Sequence, residues 1–234
     1  MSTSLPDNLK ARIKESYDAT AEDYAARFTK ADDPVRLGYL RRLVELMQDK
    51  NTANLLELGC GAGIPATKFV LQYNKPAFHV IGNDISTAQL NLARANLDDY
   101  KDRIHLEEGD MLALSFPDST FDAVTGFYSI IHLPREEQTQ IMEKIFKWLK
   151  PGGLFLANFG AEEIPTLEQD RWLDHDKAWM FWSGWGGEAS VKMVEAVGFE
   201  ILLRERRQDE GDAEFMWVLA TKYGQTSTTQ SSHG

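Results

Sequence analysis

The sequence predicts an α/β fold. The expected form is a seven-stranded, mostly parallel sheet with helices on both faces, extra helices at the N-terminus and an antiparallel last strand. Three observations predict it. Short apolar runs alternate with segments whose apolar residues recur at helical spacing. The first run, NLLELGCGAG at 54–63, passes into a glycine-dense turn and then a helix, as in the opening unit of nucleotide-binding α/β domains. The last two runs, 199–207 and 214–223, are joined by an acidic loop short enough to force a hairpin.

The chain of 234 residues is long enough for one large domain. We expect that domain over 1–223, with a helical cap at 1–50, an aromatic-rich insert or lid at 161–186, and a disordered low-complexity tail at 224–234. The formal net charge is −11. The densest basic cluster, Arg204, Arg206 and Arg207, is interrupted by Glu205 and followed by Asp209, Glu210 and Asp212. Phosphate-backbone binding draws on clustered positive charge, so nucleic acid and anionic membrane surfaces are poor partners. Apolar runs fall far short of the roughly 20 residues of a membrane span, and MSTSLPDNLK has no apolar core of a secretory signal. The single cysteine, Cys60, fits a reducing, cytoplasmic setting. A small-molecule substrate and a monomer or homodimer are expected.

Taken in order, 6–50 reads as helices. Thr20 with Asp23 resembles a capping box, so a new helix is expected at 21–28 after a break near Asp18. Leu40, Leu43, Val44 and Met47 then recur at helical spacing. In the loop after the first strand, Gly59, Gly61 and Gly63 allow a tight turn and a close approach to a ligand, and Pro65 suits a first helical position. The second strand, FHVIGND at 78–84, ends at Asp84, about twenty residues beyond the glycines. There a nucleotide-binding unit places the carboxylate that accepts both ribose hydroxyls. Ser86 and Gln89 form a further capping pair, with Leu90, Ala93 and Leu97 on the buried helix face.

RIHLEEGD at 103–110 alternates into a third strand, where His105 reads as half-exposed. FDAVTGFYS at 121–129 is the fourth, apolar as a central parallel strand should be. Its carboxyl end runs through Phe127 and Tyr128 to His132 in the switch-point crevice. His132 is the best-placed titratable group; it is either a proton acceptor or a satisfied loop histidine. A helix with Ile141, Ile145, Trp148 and Leu149 on one face ends in a KPGG turn at 150–153 before a fifth strand at 154–159. Residues 162–187 break the alternation and hold Trp172, Trp179, Phe181, Trp182 and Trp185. Such a cluster suggests a pocket wall or lid, with core packing or a dimer contact as the alternative. A helix at 188–197 stops at Gly198.

The loop spacing is G-x-G-x-G; the dinucleotide fingerprint would need glycine where Ile64 stands. With Glu57, Gly59, Gly61, Gly63, then Asp84, Gly109-Asp110 and LKPGG in order, the chain resembles the class I S-adenosylmethionine-dependent methyltransferases of small-molecule type over 17–223. The resemblance implies a Rossmann-like sheet with its antiparallel last strand inserted, S-adenosylmethionine as cofactor and S-adenosylhomocysteine as product. It assigns the cofactor loop to Glu57, Gly59, Cys60, Gly61 and Gly63, and the ribose to Asp84 with Ile85. Asp110 would accept from the adenine amino group beside Met111, Phe127 would border the site, and Tyr17 would lie over the cofactor. Candidate substrate residues are Tyr24, Tyr128, His132, Trp179, Phe181 and Trp182. His132 is the candidate base or orienting group, and Asp174, His175 and Glu162 are further choices. Where adenine- or glutamine-directed members carry N/D-P-P-Y/F, this chain has Phe-Tyr-Ser-Ile, which favours a small, aromatic or apolar acceptor. No zinc-ligand spacing occurs. Two rivals stay open: a cofactor-binding module without catalysis, and a nicotinamide-dependent oxidoreductase, against which Ile64 and the final hairpin count.

Overall fold

A computed structural model of the protein describes residues 6–208 and 213–223. Helices α1 (Leu9–Phe28) and α2 (Pro34–Glu45) precede the sheet. Then β1 (Thr52–Leu58), α3 (Ala66–Leu71), β2 (Ala77–Asp84), α4 (Thr87–Asn96), β3 (Ile104–Glu108), β4 (Phe121–Gly126), α5 (Arg135–Trp148) and β5 (Leu149–Gly160) alternate. A ribbon of β6 (Glu163–Asp170) and β7 (Trp179–Trp185) follows, then α6 (Gly187–Val197), β8 (Phe199–Gln208) and β9 (Glu214–Lys222). The seven-stranded sheet has the order β3-β2-β1-β4-β5-β9-β8. Its first five strands are parallel, and β9 is inserted antiparallel between β5 and β8. The fold class is therefore as expected.

Strand alternation sends successive side chains to opposite faces, and the core divides accordingly. Leu55 joins Leu40, Leu43 and Trp217 under α2 and α3; Leu56 joins Val124, Ile141 and Ile145 under α5 and α6. Every residue of the central β4 is buried.

Two local expectations are corrected. α1 runs unbroken through Asp18, because Thr20 does not cap: its hydroxyl donates to the Ser16 carbonyl one turn back (2.8 Å). The KPGG segment is strand rather than free turn, with a register irregularity against β4 between Phe121 and Ala123. The aromatic insert is an antiparallel ribbon, paired from Glu163↔Trp185 to Asp170↔Trp179. It is anchored under α1, where Ser16 Oγ accepts from the Trp179 N–H (2.8 Å). The expected tail at 224–234 and most of the acidic hairpin loop lie outside the described residues.

Candidate active site

The glycine loop leaves β1 with positive φ at Gly59 (73°), Gly61 (54°) and Gly63 (76°). At Gly59 a side chain has no room, since a Cβ would lie 2.3 Å from Ser129 Cβ. The loop is pinned from below and from the side. The N–H groups of Gly59 and Cys60 donate to Asn83 O (2.8 and 2.9 Å), and that of Gly61 donates to Asp84 Oδ2 (2.8 Å). Asp84 Oδ1 accepts from the Ser86 N–H (2.9 Å). Burial pushes the Asp84 pKa up against these two bonds. Glu57 is buried behind the loop and accepts from Thr67 Oγ (2.5 Å); burial pushes it up to about 7. Burial, then the charges of Asp84 and Glu57, push the Cys60 thiol well above its usual value, so it is no nucleophile.

A cleft opens above this loop. Among the residues assigned to the cofactor, Tyr17, Gly59, Gly61, Asp84, Ile85, Asp110, Met111 and Phe127 line it. Glu57, Cys60 and Gly63 do not: they form the layer behind. Asp110 caps the short turn that follows, accepting from the Leu112 N–H (3.0 Å), and faces Lys10 Nζ at 3.4 Å. The cleft is narrow, about 90 Å³, against the roughly 300–1,000 Å³ of ligand clefts; α1 and Tyr17 form its lid.

The cleft also contains a residue that sequence reasoning used only as a cap. Gln89 is 1% exposed, and among the described residues neither its amide oxygen nor its nitrogen has a hydrogen-bond partner. Ser86 Oγ accepts from the Gln89 N–H (3.1 Å), which is one half of a capping box. The other half is missing because Asp84 already takes the Ser86 N–H. The Gln89 side chain is thereby released into the cleft. The signal was the Asp84-to-Gln89 spacing, in which an acid competes with the glutamine for one donor.

At the far wall, Tyr17 OH and His132 Nε2 are 2.9 Å apart, and His132 Nδ1 lies 2.7 Å from the Phe181 carbonyl. A carbonyl can only accept, so Nδ1 carries the proton, Nε2 carries the lone pair, and Tyr17 donates. Burial pushes the His132 pKa down to about 4, the Phe181 bond opposing. Burial, with Tyr24 and Asp84, pushes Tyr17 well above its usual value. Both groups are neutral at pH 7.

Beyond this pair lies a second cavity of about 670 Å³, which shares Tyr17, Tyr24, Tyr128 and His132 with the cleft. Phe28, Trp172, Trp182 and Phe215 complete its aromatic walls. Tyr128 is held at φ 55° with its N–H on Asn158 Oδ1 (2.7 Å) and the Arg36 guanidinium 4.9 Å from its ring. Such a conformation in a non-glycine residue is maintained only where its surroundings impose it. Of the substrate candidates, Trp179 and Phe181 border neither cavity. They pack with Leu9 and Ile13 under α1, and Phe181 acts through its carbonyl alone. The expectation that their rings line the pocket is corrected: alternation along β7 turns Trp182 inward and its neighbour Phe181 away. Asp174, His175 and Glu162 border neither cavity as well.

Comparison with known proteins agrees with this geometry. Residues 55–153 match the family described as "Methyltransferase domain". A sterol 24-C-methyltransferase of Gibberella zeae is 30% identical over 178 residues, covering 70% of this chain and 44% of that protein. A phosphoethanolamine N-methyltransferase of Triticum aestivum is 30% identical over 177 residues, covering 73% and 32%. The chain thus spans less than half the length of these curated relatives. Among solved structures, the 1,6-didemethyltoxoflavin-N1-methyltransferase of Burkholderia thailandensis, with bound 1,6-didemethyltoxoflavin and S-adenosylhomocysteine, superposes with TM-score 0.71 at 15% identity, over 95% of this chain and 92% of that one. Residues 55–153 thus resemble the methyltransferase domain family, and the surrounding fold is one that solved methyltransferases share.

Proposed function

We propose that this protein transfers the methyl group of S-adenosylmethionine to a small aromatic or apolar acceptor. The observation that carries the reading is the junction of two cavities at Tyr17, Tyr24, Tyr128 and His132. A nucleoside in the cleft, with its ribose on Asp84 and Gln89, would direct its sulfonium toward that junction. An acceptor against Trp172 and Trp182 would approach from the other side. The sulfonium is a good leaving group, so alignment in a dry site can supply much of the acceleration. Aromatic faces also favour the cationic reactant.

The chain's own contribution is then positioning and one proton. Neutral His132 accepts from Tyr17 at Nε2, so a proton that the acceptor sheds as its bond to methyl forms would reach that nitrogen through the Tyr17 hydroxyl, which gives its own proton to Nε2 as it takes up the acceptor's. With a pKa near 4, His132 suits an acceptor that becomes acidic during transfer rather than one needing deprotonation beforehand. The relatives' names range from a sterol to phosphoethanolamine, so kinship does not select the acceptor. The nicotinamide alternative is disfavoured by Ile64 and by the antiparallel insertion of β9.

A thermal-shift titration with S-adenosylmethionine, S-adenosylhomocysteine and NAD tests the cofactor. At 100 times Kd a ligand adds about 2.7 kcal/mol, or roughly 5–10 °C for a chain of this size. A shift with the two sulfur ligands alone is expected, and no shift with either overturns the reading. Label transfer from methyl-labelled donor to aromatic acceptors then separates catalysis from binding without turnover.

A further inference from the structure

We propose that the acceptor carries an anionic group, read by Arg27 and Lys30 at the end of the second cavity away from the Tyr17–His132 junction. The inference rests on that cavity being the acceptor site. Tyr24, Arg27 and Phe28 follow one another at helical spacing on α1, and all three border the cavity. Ten residues of helix separate Arg27 from Tyr17, about 15 Å along the axis at 1.5 Å per residue. The cations therefore lie a small molecule's length from the reacting end.

The charges in the cavity divide unequally. Asp33 and Arg36 neutralise each other as an ion pair, although the Arg36 Nε–H makes no hydrogen bond among the described residues. Arg36 Nε lies 3.2 Å from Asp33 Oδ2, Asp33 Oδ1 accepts from the Arg36 N–H (2.9 Å), and the Arg36 guanidinium rests 4.9 Å from the Tyr128 ring centre. That leaves Arg27 and Lys30 against one carboxylate, Asp32. Neither cation has an ion pair among the described residues. In a chain of net charge −11, this is a local excess of positive charge beside seven aromatic side chains. Both cations stand at the open end of the cavity, where water screens part of their field, and a guanidinium with an ammonium suits a carboxylate, sulfonate or phosphate. The preferred ligand is thus an aromatic body with an anion at one end.

The test uses the full-length protein saturated with S-adenosylhomocysteine and two dyes of nearly the same body: 1-anilinonaphthalene-8-sulfonate and the neutral N-phenyl-1-naphthylamine. The wild-type protein should bind the sulfonate about tenfold more tightly, the scale of one charge-assisted bond. The double variant Arg27→Gln/Lys30→Gln, at two exposed positions, should lose that preference and bind the neutral dye unchanged. Trp182→Ala should weaken both dyes. Equal affinities in the wild-type protein, or a preference that survives the double substitution, overturn the anion inference while leaving the acceptor cavity standing. Indifference of both dyes to Trp182→Ala overturns the cavity as a ligand site, and the acceptor reading with it.

Discussion

His132 is kept neutral by its surroundings, and this has a measurable consequence. Its folded pKa, about 4, lies below the ordinary 6.5. The stability it contributes is therefore present above pH 6.5 and lost as pH falls through 4. Glu57 works in the opposite sense: its folded pKa of about 7 exceeds the ordinary 4.5, so its contribution is present below pH 4.5 and lost as pH rises through 7. Two-dimensional nitrogen–proton spectra should show the Nδ1-protonated neutral tautomer of His132 from pH 8 down to about 5. An imidazolium appearing near 6.5 would refute the assigned geometry. Glu57→Gln should gain on the wild-type protein between pH 4.5 and 7, by up to about 1.4 kcal/mol per unit of pKa shift; parallel stability curves would rule out the buried carboxyl as the source. The places of Glu57, Asp84 and Asp110 at the ends of their strands were legible because they follow a repeated strand–loop–helix unit; their roles toward a ligand are part of the proposal. The directions of the Trp179 and Phe181 rings were not legible, because the pairing of a short ribbon decides them.

At the scale of the element, α1 closes the cleft, held by an apolar seam in which Leu9 and Ile13 pack on Trp179 and Phe181 and by a set of polar contacts toward α4, β3 and α5. Lys14 Nζ reaches Glu108 Oε1 (3.0 Å), Asp18 Oδ2 (3.2 Å) and Thr87 Oγ1 (2.5 Å), while Asp18 Oδ1 accepts from Ser86 Oγ (2.7 Å) and the Ala88 N–H (3.0 Å). Lys10 pairs with Glu137 and Asp110. These groups are a quarter to two-fifths exposed, so each pair contributes about 1 kcal/mol or less and weakens with salt. The polar contacts are thus the part of this closure that a single substitution can loosen without disturbing the sheet. Lys14→Met should therefore leave Tm within a few degrees yet speed release of S-adenosylhomocysteine in stopped flow. An unchanged release rate would remove α1 from gating. The sequence suggested a break in this helix because Thr20 and Asp23 imitate a cap. Its continuity rests on contacts such as Ser16 with Trp179, far apart in the chain and invisible to local pattern.

Across the whole molecule, binding and stability are assigned to opposite ends of the sheet. The carboxyl ends of β1, β2 and β4 carry the glycine loop, Asp84 and the turn to His132. Near the amino ends, buried Asp122 accepts from Lys50 Nζ (2.8 Å), Lys150 Nζ (2.7 Å) and the Asn54 N–H (2.9 Å), tying β1, β4 and β5 together. Burial raises its pKa, but these bonds more than offset that and hold it below the usual range. Its contribution is thus present above the ordinary carboxylate pKa and lost as pH falls below it. Two substitutions should dissociate the ends. Asp122→Asn removes a charge bonded to three donors, worth roughly 1–3 kcal/mol; it should lower Tm by several degrees and leave the Kd for S-adenosylhomocysteine unchanged. Gln89→Leu should do the reverse. Its buried amide has no partner among the described residues, so an apolar side chain of similar size relieves an unmet desolvation cost and leaves the unliganded protein as stable or more so. The cofactor, deprived of that amide, should bind about tenfold more weakly. If Gln89→Leu lowers both stability and affinity, the glutamine is part of the fold's scaffold rather than a group reserved for the ligand.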